Sequence, residues 1–178
     1  VTGRQISDNT TQSNAITTLR SDNTTQANAI ASVLADNTTY VNVWANMTPT
    51  PAGILGGGVA YTGADNIYVT QGGDAAGFYR YSITNDTWTT MNSIPVTTSY
   101  GTALVYTGDN FLYALQGGAG AGANGFFRYT ISNDSWTNMT VTPANVLGGG
   151  SLAYTGGDYI YTLRGGTTDF WRYSISTN

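Results

Sequence analysis

Residues 72–88 read GGDAAGFYRYSITNDTW, and most of this order recurs twice further along the chain. A glycine pair is followed by a short aromatic stretch, an Asn-Asp turn and a tryptophan. The second copy, residues 117–136, reads GGAGAGANGFFRYTISNDSW, and the third, residues 165–178, reads GGTTDFWRYSISTN. Aromatic and β-branched residues placed between Gly, Asn and Asp predict short antiparallel strands joined by tight turns.

These stretches belong to a longer repeat with a period of 44 to 48 residues. Trp44, Trp88 and Trp136 each precede a proline by seven positions. A strand ending in Tyr-Thr-Gly and a turn containing Asp separate each tryptophan from the next glycine pair. The repeat predicts three similar β modules, which lie at about residues 44–87, 88–135 and 136–178.

The pattern resembles the Kelch repeat, in which a hydrophobic strand, a double glycine, and a tyrosine and tryptophan separated by six residues follow one another. Tyr81 and Trp88 have this spacing, and so do Tyr129 and Trp136. The resemblance implies that each repeat forms a four-stranded antiparallel blade of a β-propeller. Paired glycines suit such a blade, because they permit positive φ and a close approach of the backbone near the propeller axis.

Three blades are fewer than the roughly four to eight of a typical propeller. Two explanations remain open at this point. The sequence is a fragment of a longer chain with further blades, which we favour because the third copy lacks the closing tryptophan. Alternatively, two chains pool three blades each into one ring.

Residues 1–43 carry a different repeat, with a period of 14 residues, or two heptads. The segment from Ser7 to Ile16 recurs as Ser21 to Ile30. Because Asn and Thr are poor helix formers, a helix here needs partner helices, and the pattern predicts a parallel coiled-coil stalk. Its core positions, which we expect to mediate oligomerisation, are Asn9, Gln12, Ile16, Leu19, Asn23, Gln26, Ile30, Val33 and Asn37. A disordered polar linker and a β-structured shaft are the alternatives.

Two features of the sequence point to different numbers of chains in this stalk. Ile at position a with Leu at position d favours two chains. The repeated Asn and Gln layers resemble the trimeric stalks of phage tail fibres and trimeric adhesins. We favour a homotrimer on that resemblance and keep a dimer as the alternative.

The residue alphabet excludes several functions. All ten acidic residues are Asp, all six basic residues are Arg, and Glu, Lys, His and Cys are absent from the sequence. The net charge is −4 without a block of like charges, so we expect no nucleic-acid partner. A run of about 18 apolar residues is also absent, so we expect no membrane insertion. We expect no enzyme activity, because a serine nucleophile would lack its usual His or Lys base.

Catalytic residues of Kelch-like enzymes cannot be transferred to this chain. The copper oxidases with this fold use His and Cys, and the six-bladed sialidases use Glu, and none of these residues is present. We therefore expect no cofactor and no metal site. An enzyme acting on carbohydrate is the least favoured alternative, and its catalytic part would lie outside this sequence.

Two polar sets recur in the repeats. Arg80, Arg128 and Arg172 hold one equivalent position, which favours a structural hydrogen bond over an arginine ring that binds acidic glycans. The partners would be the Asp of the Asn-Asp turn, with Asp86 and Asp134 favoured, or backbone carbonyls of the neighbouring blade. The acidic residues of the Tyr-Thr-Gly turns favour turn chemistry over catalysis. They are Asp65, Asp109 and Asp158.

Variable loops on a repeated scaffold commonly carry binding specificity. The loop at residues 118–125 is longer than its counterparts, and the candidate ligand-binding positions are Asp74, Asn124 and Asp169. Asn46 and Asn138 are candidate glycosylation sites within Asn-x-Thr sequons. The sequons at Asn9, Asn23 and Asn37 fall on the stalk core, so we expect them to carry no sugar.

The whole pattern indicates an extracellular or virion fibre protein. The favoured function is host attachment by a phage or archaeal-virus tail fibre, with other virion or fibre subunits and a host surface glycan or protein as partners. A cellular surface adhesin or an extracellular appendage subunit is the alternative.

Overall fold

A computed structural model describes residues 3–39, 44–118 and 120–178, including the helix side chains of residues 7–32. The chain divides into two units, Val1–Ala45 and Asn46–Asn178. The first contains one helix, and the second contains antiparallel sheets. The prediction of a mainly β chain with an N-terminal α-helix is confirmed.

Helix α1 spans Gly3–Thr39. Five of its threonines satisfy their hydroxyls internally, because each Oγ1 donates to the carbonyl four residues earlier at 2.9 to 3.1 Å. Ile16, Leu19 and Ile30 are 51%, 67% and 60% exposed. The isolated helix therefore presents the aliphatic positions of the heptad pattern to solvent. The side chains of Val33 and Asn37 lie outside the described residues, and the coiled coil stays a prediction.

Eleven strands follow in the described residues. The first sheet contains β1 Val59–Tyr61, β2 Asn66–Gly72, β3 Ala75–Ser82 and β4 Thr87–Thr90. The second contains β5 Ala103–Gly108, β6 Phe111–Leu115, β7 Phe126–Thr130 and β8 Ser135–Asn138, with a 3-10 turn at Ile131–Asn133. The third contains β9 Ser151–Tyr154, β10 Tyr159–Leu163 and β11 Phe170–Ser174.

Each sheet is an antiparallel meander in chain order. The first two sheets have four strands, and the third has three in the described residues. Two of the repeat tryptophans lie in the last strand of a sheet: Trp88 is in β4 and Trp136 is in β8. Residues 91–102 and 139–150 then connect one sheet to the next.

The spacing of six residues between tyrosine and tryptophan follows from this hairpin. Tyr81 lies directly opposite Trp88 in the register of β3 and β4, and Tyr129 lies opposite Trp136 in β7 and β8. In both pairs the ring centroids are 4.9 Å apart. The tryptophan therefore covers the tyrosine of its own sheet, as cross-strand aromatic pairs do.

The hydrophobic core lies between successive sheets. Between the first and second sheets, Phe78 lies 4.7 Å from Tyr129 in an edge-to-face contact. Phe126 makes the equivalent contact with Tyr173, at 4.8 Å, between the second and third. Phe78 and Tyr129 are fully buried. The same repeat positions thus form both interfaces.

The glycine pair of the first repeat permits a close backbone approach. Gly72 has a φ of 67°, and a Cβ placed there would lie 2.3 Å from the Leu55 carbonyl oxygen. Gly63, in the β1–β2 turn, also has a positive φ (83°), but a Cβ there would meet nothing within 4 Å. Of these two glycines, Gly72 is the one that combines a left-handed conformation with a contact that excludes a side chain.

Candidate binding face

The β2–β3, β6–β7 and β10–β11 turns lie at the same end of their sheets as the connections between sheets. Asp74 N donates to the Thr98 carbonyl at 2.8 Å, and Gly118 N donates to the Val146 carbonyl at 3.0 Å. Leu147 N donates to the Arg164 carbonyl at 2.9 Å. We call this surface the loop face; it comprises residues 73–74, 116–118, 120–125 and 164–169 with the connections 91–102 and 139–150.

The three candidate ligand-binding positions occupy equivalent turns of this loop face but differ in what they present. Asp74 has a φ of 62° and an exposed side chain. The Asn124 carbonyl accepts hydrogen bonds from Thr142 N at 2.9 Å and Thr142 Oγ1 at 3.2 Å. Asp169 forms an ion pair with Arg164 at 2.9 Å. No hydrogen bond in the described residues joins any two of the three positions.

The residue before each glycine pair was missed by sequence reasoning. Arg164 Nε donates to the Asn145 carbonyl at 2.9 Å, and Gln116 Nε2 makes the equivalent bond to the Thr97 carbonyl at 3.1 Å. Gln116 Oε1 also accepts from Gly125 N at 3.1 Å. These side chains fasten the loops to the connections. The only available signal was a long polar residue at the same place in each repeat.

The expectation that Asp86 and Asp134 pair with the repeat arginines is wrong. In the described residues the sole ion pair is that of Arg164 with Asp169. Asp86 and Asp134 instead accept hydrogen bonds from tyrosine hydroxyls. The reason is strand geometry, because Arg80 and Tyr81 are adjacent in β3 and so point to opposite faces of the sheet. Tyr81 lies on the face that reaches Asp86.

The arginines lie against aromatic rings. Each lies directly opposite a tyrosine of the preceding strand, as the pairs Tyr68–Arg80, Tyr113–Arg128 and Tyr161–Arg172. Burial raises the pKa of Tyr68 and of Tyr113, and the neighbouring guanidinium partly offsets this rise. The guanidinium carbon of Arg128 also lies 4.7 Å from the Phe111 ring, and that of Arg172 lies 4.1 Å from the Tyr159 ring. This repeated contact agrees with a structural function for the arginines.

At the end of each hairpin, one side chain accepts a hydrogen bond from the segment that leads into the same sheet. Asp86 Oδ1 accepts the Tyr81 hydroxyl at 2.5 Å and the Thr48 backbone N–H at 2.9 Å. The hydrogen bond from Tyr81 lowers the pKa of Asp86, and it raises the pKa of Tyr81 to about 12. Equivalent pairs of bonds are made by Asp134 to Tyr129 and Asn92, and by Asn178 to Tyr173 and Thr140.

The repeat acids of the Tyr-Thr-Gly turns also have structural partners. Asp65 accepts Ser82 Oγ at 2.7 Å and Thr84 N at 2.6 Å, and Asp158 accepts Ser174 Oγ at 2.6 Å and Ser176 N at 2.7 Å. These serine bonds are the largest cause of the lowered pKa of both carboxyls. In the second sheet Asn110 performs this function, bonding Ser132. Asp65 and Asp158 thus have the turn function that the sequence predicted. Asp109 lies in the same kind of turn, with a φ of 51°, but one position before the residue that is equivalent to Asp65 and Asp158.

The candidate glycosylation sites Asn46 and Asn138 are both exposed, which modification requires. Their modification stays a prediction, and so does the expected lack of sugar at the stalk sequons.

Two searches of the described residues concern metal ligands and membrane-spanning helices. No group of three or more acidic residues there is placed to hold a metal ion. Among the described helices, none combines the length and apolar character needed to cross a membrane.

Comparisons with known proteins show a likeness to solved structures. No protein-family model and no curated protein match the chain. Among solved structures, the chain is similar to that of YjhT, with 18% sequence identity and a TM-score of 0.54. The similarity covers 65% of this chain and 35% of YjhT. At this identity, the likeness concerns the fold alone.

Proposed function

We propose that this chain is a non-enzymatic adhesive fibre protein in which α1 joins subunits and the sheets present the loop face to a host surface. In this proposal the sheets are blades of a Kelch-type propeller, and α1 is one strand of a parallel coiled coil. The setting is extracellular, as part of a phage or archaeal-virus tail fibre.

The observation that carries the proposal is the exposed aliphatic row of α1. A helix rich in Asn and Thr has little intrinsic stability in water. Ile16, Leu19 and Ile30 are each more than half exposed, at positions that follow the heptad pattern. Partner helices that bury these side chains would supply the missing stability. The amide layers of Asn9, Gln12, Asn23 and Gln26 would then set the register, with three chains expected from the resemblance and two from the Ile and Leu positions.

The propeller part of the proposal rests on the repeated interface between sheets. The contact of Phe78 with Tyr129 and that of Phe126 with Tyr173 use equivalent positions with closely similar geometry. Sheets that pack face to face through a constant step generate a radial array.

Binding at the loop face is favoured over catalysis by the chemistry present there. The three equivalent turns differ in length and in charge, with the exposed carboxylate of Asp74 at the first and the Arg164–Asp169 ion pair at the third. The sequence has no His, Cys, Glu or Lys, so a general base would have to be Asp or Tyr. A host glycan or surface protein is the expected ligand.

The stalk is tested by replacing Ile16 and Ile30 with Asp in one variant. Burying four or more carboxylates in a shared core is unfavourable, so we expect dissociated subunits with folded sheets. Sedimentation velocity measures the association state, and near-ultraviolet circular dichroism measures the folding of the aromatic sheets. Asn14→Asp with Asn28→Asp is the matched control, because it adds the same charge at outward heptad positions. An oligomer that survives the isoleucine changes would contradict the stalk.

The attachment function needs its own experiment. The intact protein is applied to a glycan array and to host cells, with release of sugar measured in parallel. We expect binding without hydrolysis, and loss of binding when Asp74 and Asn124 are replaced by Ala. Hydrolysis of a bound glycan would contradict the proposal. Immunogold labelling of virions tests the location.

A further inference from the structure

Asn124 and Gly125 form the one Asn-Gly dipeptide of the sequence, and they lie directly before β7 on the loop face. In such a dipeptide the glycine nitrogen can attack the carbonyl carbon of the asparagine side chain, because glycine has no Cβ to hinder the approach. The products are a cyclic succinimide and ammonia, and water then opens the succinimide to aspartate or isoaspartate. The dipeptide is therefore a site of spontaneous covalent change wherever its backbone is free to move.

The packing of the second sheet requires glycine at position 125. A Cβ placed there would lie 2.7 Å from Gln116 Oε1 and 2.6 Å from Cζ of the Phe127 ring. Both distances are too short for a side chain to be accommodated without movement of its neighbours. The glycine that makes the dipeptide reactive is thus fixed by the fold.

The equivalent turn of the first sheet has the same requirement at Gly77, where a Cβ would lie 2.4 Å from Gln71 Oε1. The residue before Gly77 is Ala76, which has no side-chain amide to react. In the second sheet this position is Asn124. The turn therefore forms without asparagine, and the second sheet combines a reactive amide with a glycine that packing retains.

The peptide group that joins Asn124 to Gly125 is held at both of its polar atoms. Its N–H, on Gly125, donates to Gln116 Oε1 at 3.1 Å. Its carbonyl, on Asn124, accepts from Thr142 N at 2.9 Å and from Thr142 Oγ1 at 3.2 Å. Gln116 N also donates to the Gly125 carbonyl at 2.8 Å. The peptide group therefore cannot turn towards the Asn124 side chain unless several hydrogen bonds break together.

The Asn124 carboxamide has no comparable restraint. It is half-buried, and its side chain makes no hydrogen bond to the residues that the structure describes. Protection must therefore act on the attacking nitrogen of Gly125, which has to lose its proton before it can form a bond. Gln116 Oε1 accepts that proton in a hydrogen bond, and Gln116 Nε2 donates to the Thr97 carbonyl at 3.1 Å, which fixes the acceptor in place.

We propose that Asn124 and Gly125 form a latent deamidation site, which Gln116 keeps unreacted in the folded protein by holding the Gly125 N–H. In the reaction this nitrogen loses its proton to solvent base and forms a bond to Asn124 Cγ. The Cγ–Nδ2 bond breaks, and the departing amide takes up a proton and leaves as ammonia. One water then adds to either carbonyl of the succinimide and opens the ring.

Either product changes the loop face. An aspartate adds a negative charge at position 124. An isoaspartate routes the main chain through Cβ and Cγ, so the carbonyl that accepts from Thr142 becomes part of a free carboxylate. Asn124 is one of the candidate ligand-binding positions, so conversion would alter the surface that the proposed function presents to a host. The deamidation site itself does not depend on that function.

Ageing of the intact protein at mildly alkaline pH tests the proposal, with conversion at Asn124 followed by peptide mapping and mass spectrometry. Gln116→Met keeps a long side chain but removes the acceptor of the Gly125 N–H. We expect this variant to convert roughly tenfold faster than the unsubstituted protein, as the loss of one hydrogen bond allows. Gln116→Glu supplies an acceptor again and should convert at close to the unsubstituted rate.

Gln71→Met is the matched control, because it makes the same change at the equivalent position of the first sheet. It should leave the rate at Asn124 unchanged. Asn124→Ala copies the Ala-Gly dipeptide of the first sheet and should fold without any conversion. Equal rates with and without Gln116→Met would overturn the proposal. Conversion as fast in Gln116→Glu or in Gln71→Met as in Gln116→Met would also overturn it.

The unsubstituted chain provides a test that remains decisive if Gln116→Met does not fold, which near-ultraviolet circular dichroism would show. Conversion in the native protein should be slower by roughly tenfold or more than in the same chain unfolded in urea. Hydrogen exchange should also show a protected Gly125 N–H. Equal conversion rates in the two states, or an unprotected Gly125 N–H, would contradict protection by the fold.

Discussion

At the scale of single residues, a tyrosine hydroxyl and a carboxylate fasten the end of a hairpin to the incoming chain. Tyr129 is fully buried, and its hydroxyl donates to Asp134 Oδ1 at 2.6 Å. Burial is the main cause of the raised pKa of Tyr129, and the bond to Asp134 adds to it. A tyrosine with the ordinary pKa near 10 already donates at neutral pH, and the raised pKa keeps the Tyr129 hydroxyl protonated at more alkaline pH as well.

The Tyr129→Phe variant tests this bond. It leaves the ring in the core but removes the donor, and hydrogen bonds to charged groups contribute about 1.5 to 3 kcal/mol. We expect the free energy of unfolding, measured by urea titration, to fall by that amount. Tyr106→Phe is the control, because the Tyr106 hydroxyl makes only an exposed bond of 3.3 Å to the Asp109 carbonyl. Equal losses in the two variants would contradict a special contribution from the buried bond.

Partners of individual side chains were the least predictable part of the sequence. The repeat correctly placed Asp65 and Asp158 in turns, but it could not show that Asn110 replaces an acid there, because Asp109 precedes it by one residue. The Arg80 and Asp86 pairing was wrong for a similar reason. Sequence proximity does not show which face of a strand a side chain occupies until the register is known.

At the scale of secondary structure, the glycine pair determines how closely a turn approaches the incoming connection. The Gly72→Ala variant would bring a methyl group against the Leu55 carbonyl, while Gly63→Ala has a similar φ and open space. We expect Gly63→Ala to cost about 1 kcal/mol from the left-handed backbone alone. The overlap at Gly72 should add roughly 1 to 3 kcal/mol. Urea titration of both variants measures the difference, and equal costs would show that the close approach relaxes freely.

Most strands were predictable from the sequence, because alternation, turns and the aromatic spacing act locally. The Tyr81 and Trp88 spacing indicated a hairpin, and the structure pairs these residues directly. Helix α1 was predicted from its period despite poor propensities. The loop face was predicted only as variable loops. Its fastening by Gln116 and Arg164 depends on connections from a neighbouring sheet, which a local pattern does not reveal.

At the scale of the whole molecule, the residue alphabet predicts an unusual dependence of stability on pH. No side chain of the types His, Cys, Glu or Lys is present. Asp and Tyr ordinarily titrate near pH 3.9 and 10. Between about pH 5 and 9 we therefore expect a flat melting temperature by differential scanning calorimetry. A step near pH 6 to 7 would contradict this expectation.

The edges of this plateau follow from the direction of the pKa shifts. Asp65, Asp86 and Asp158 have lowered pKa values in the folded protein, so their ionised carboxylates stabilise the fold at pH above the unfolded pKa values. This contribution is lost as pH falls through the folded pKa values. Tyr81 and Tyr173 have pKa values raised to about 12. Their contribution is complete below the unfolded value near 10 and is lost as pH rises towards 12.

The hairpin-end acceptors Asp86, Asp134 and Asn178 give the array a consequence for its evolution. Each accepts the backbone N–H of a residue in the segment that leads into its own sheet, Thr48, Asn92 or Thr140, and any residue other than proline can supply this main-chain donor. A gene duplication or crossover that begins and ends at the same phase of the repeat would preserve every such contact. The number of units in the array can therefore change by whole-repeat recombination without redesign of any single unit.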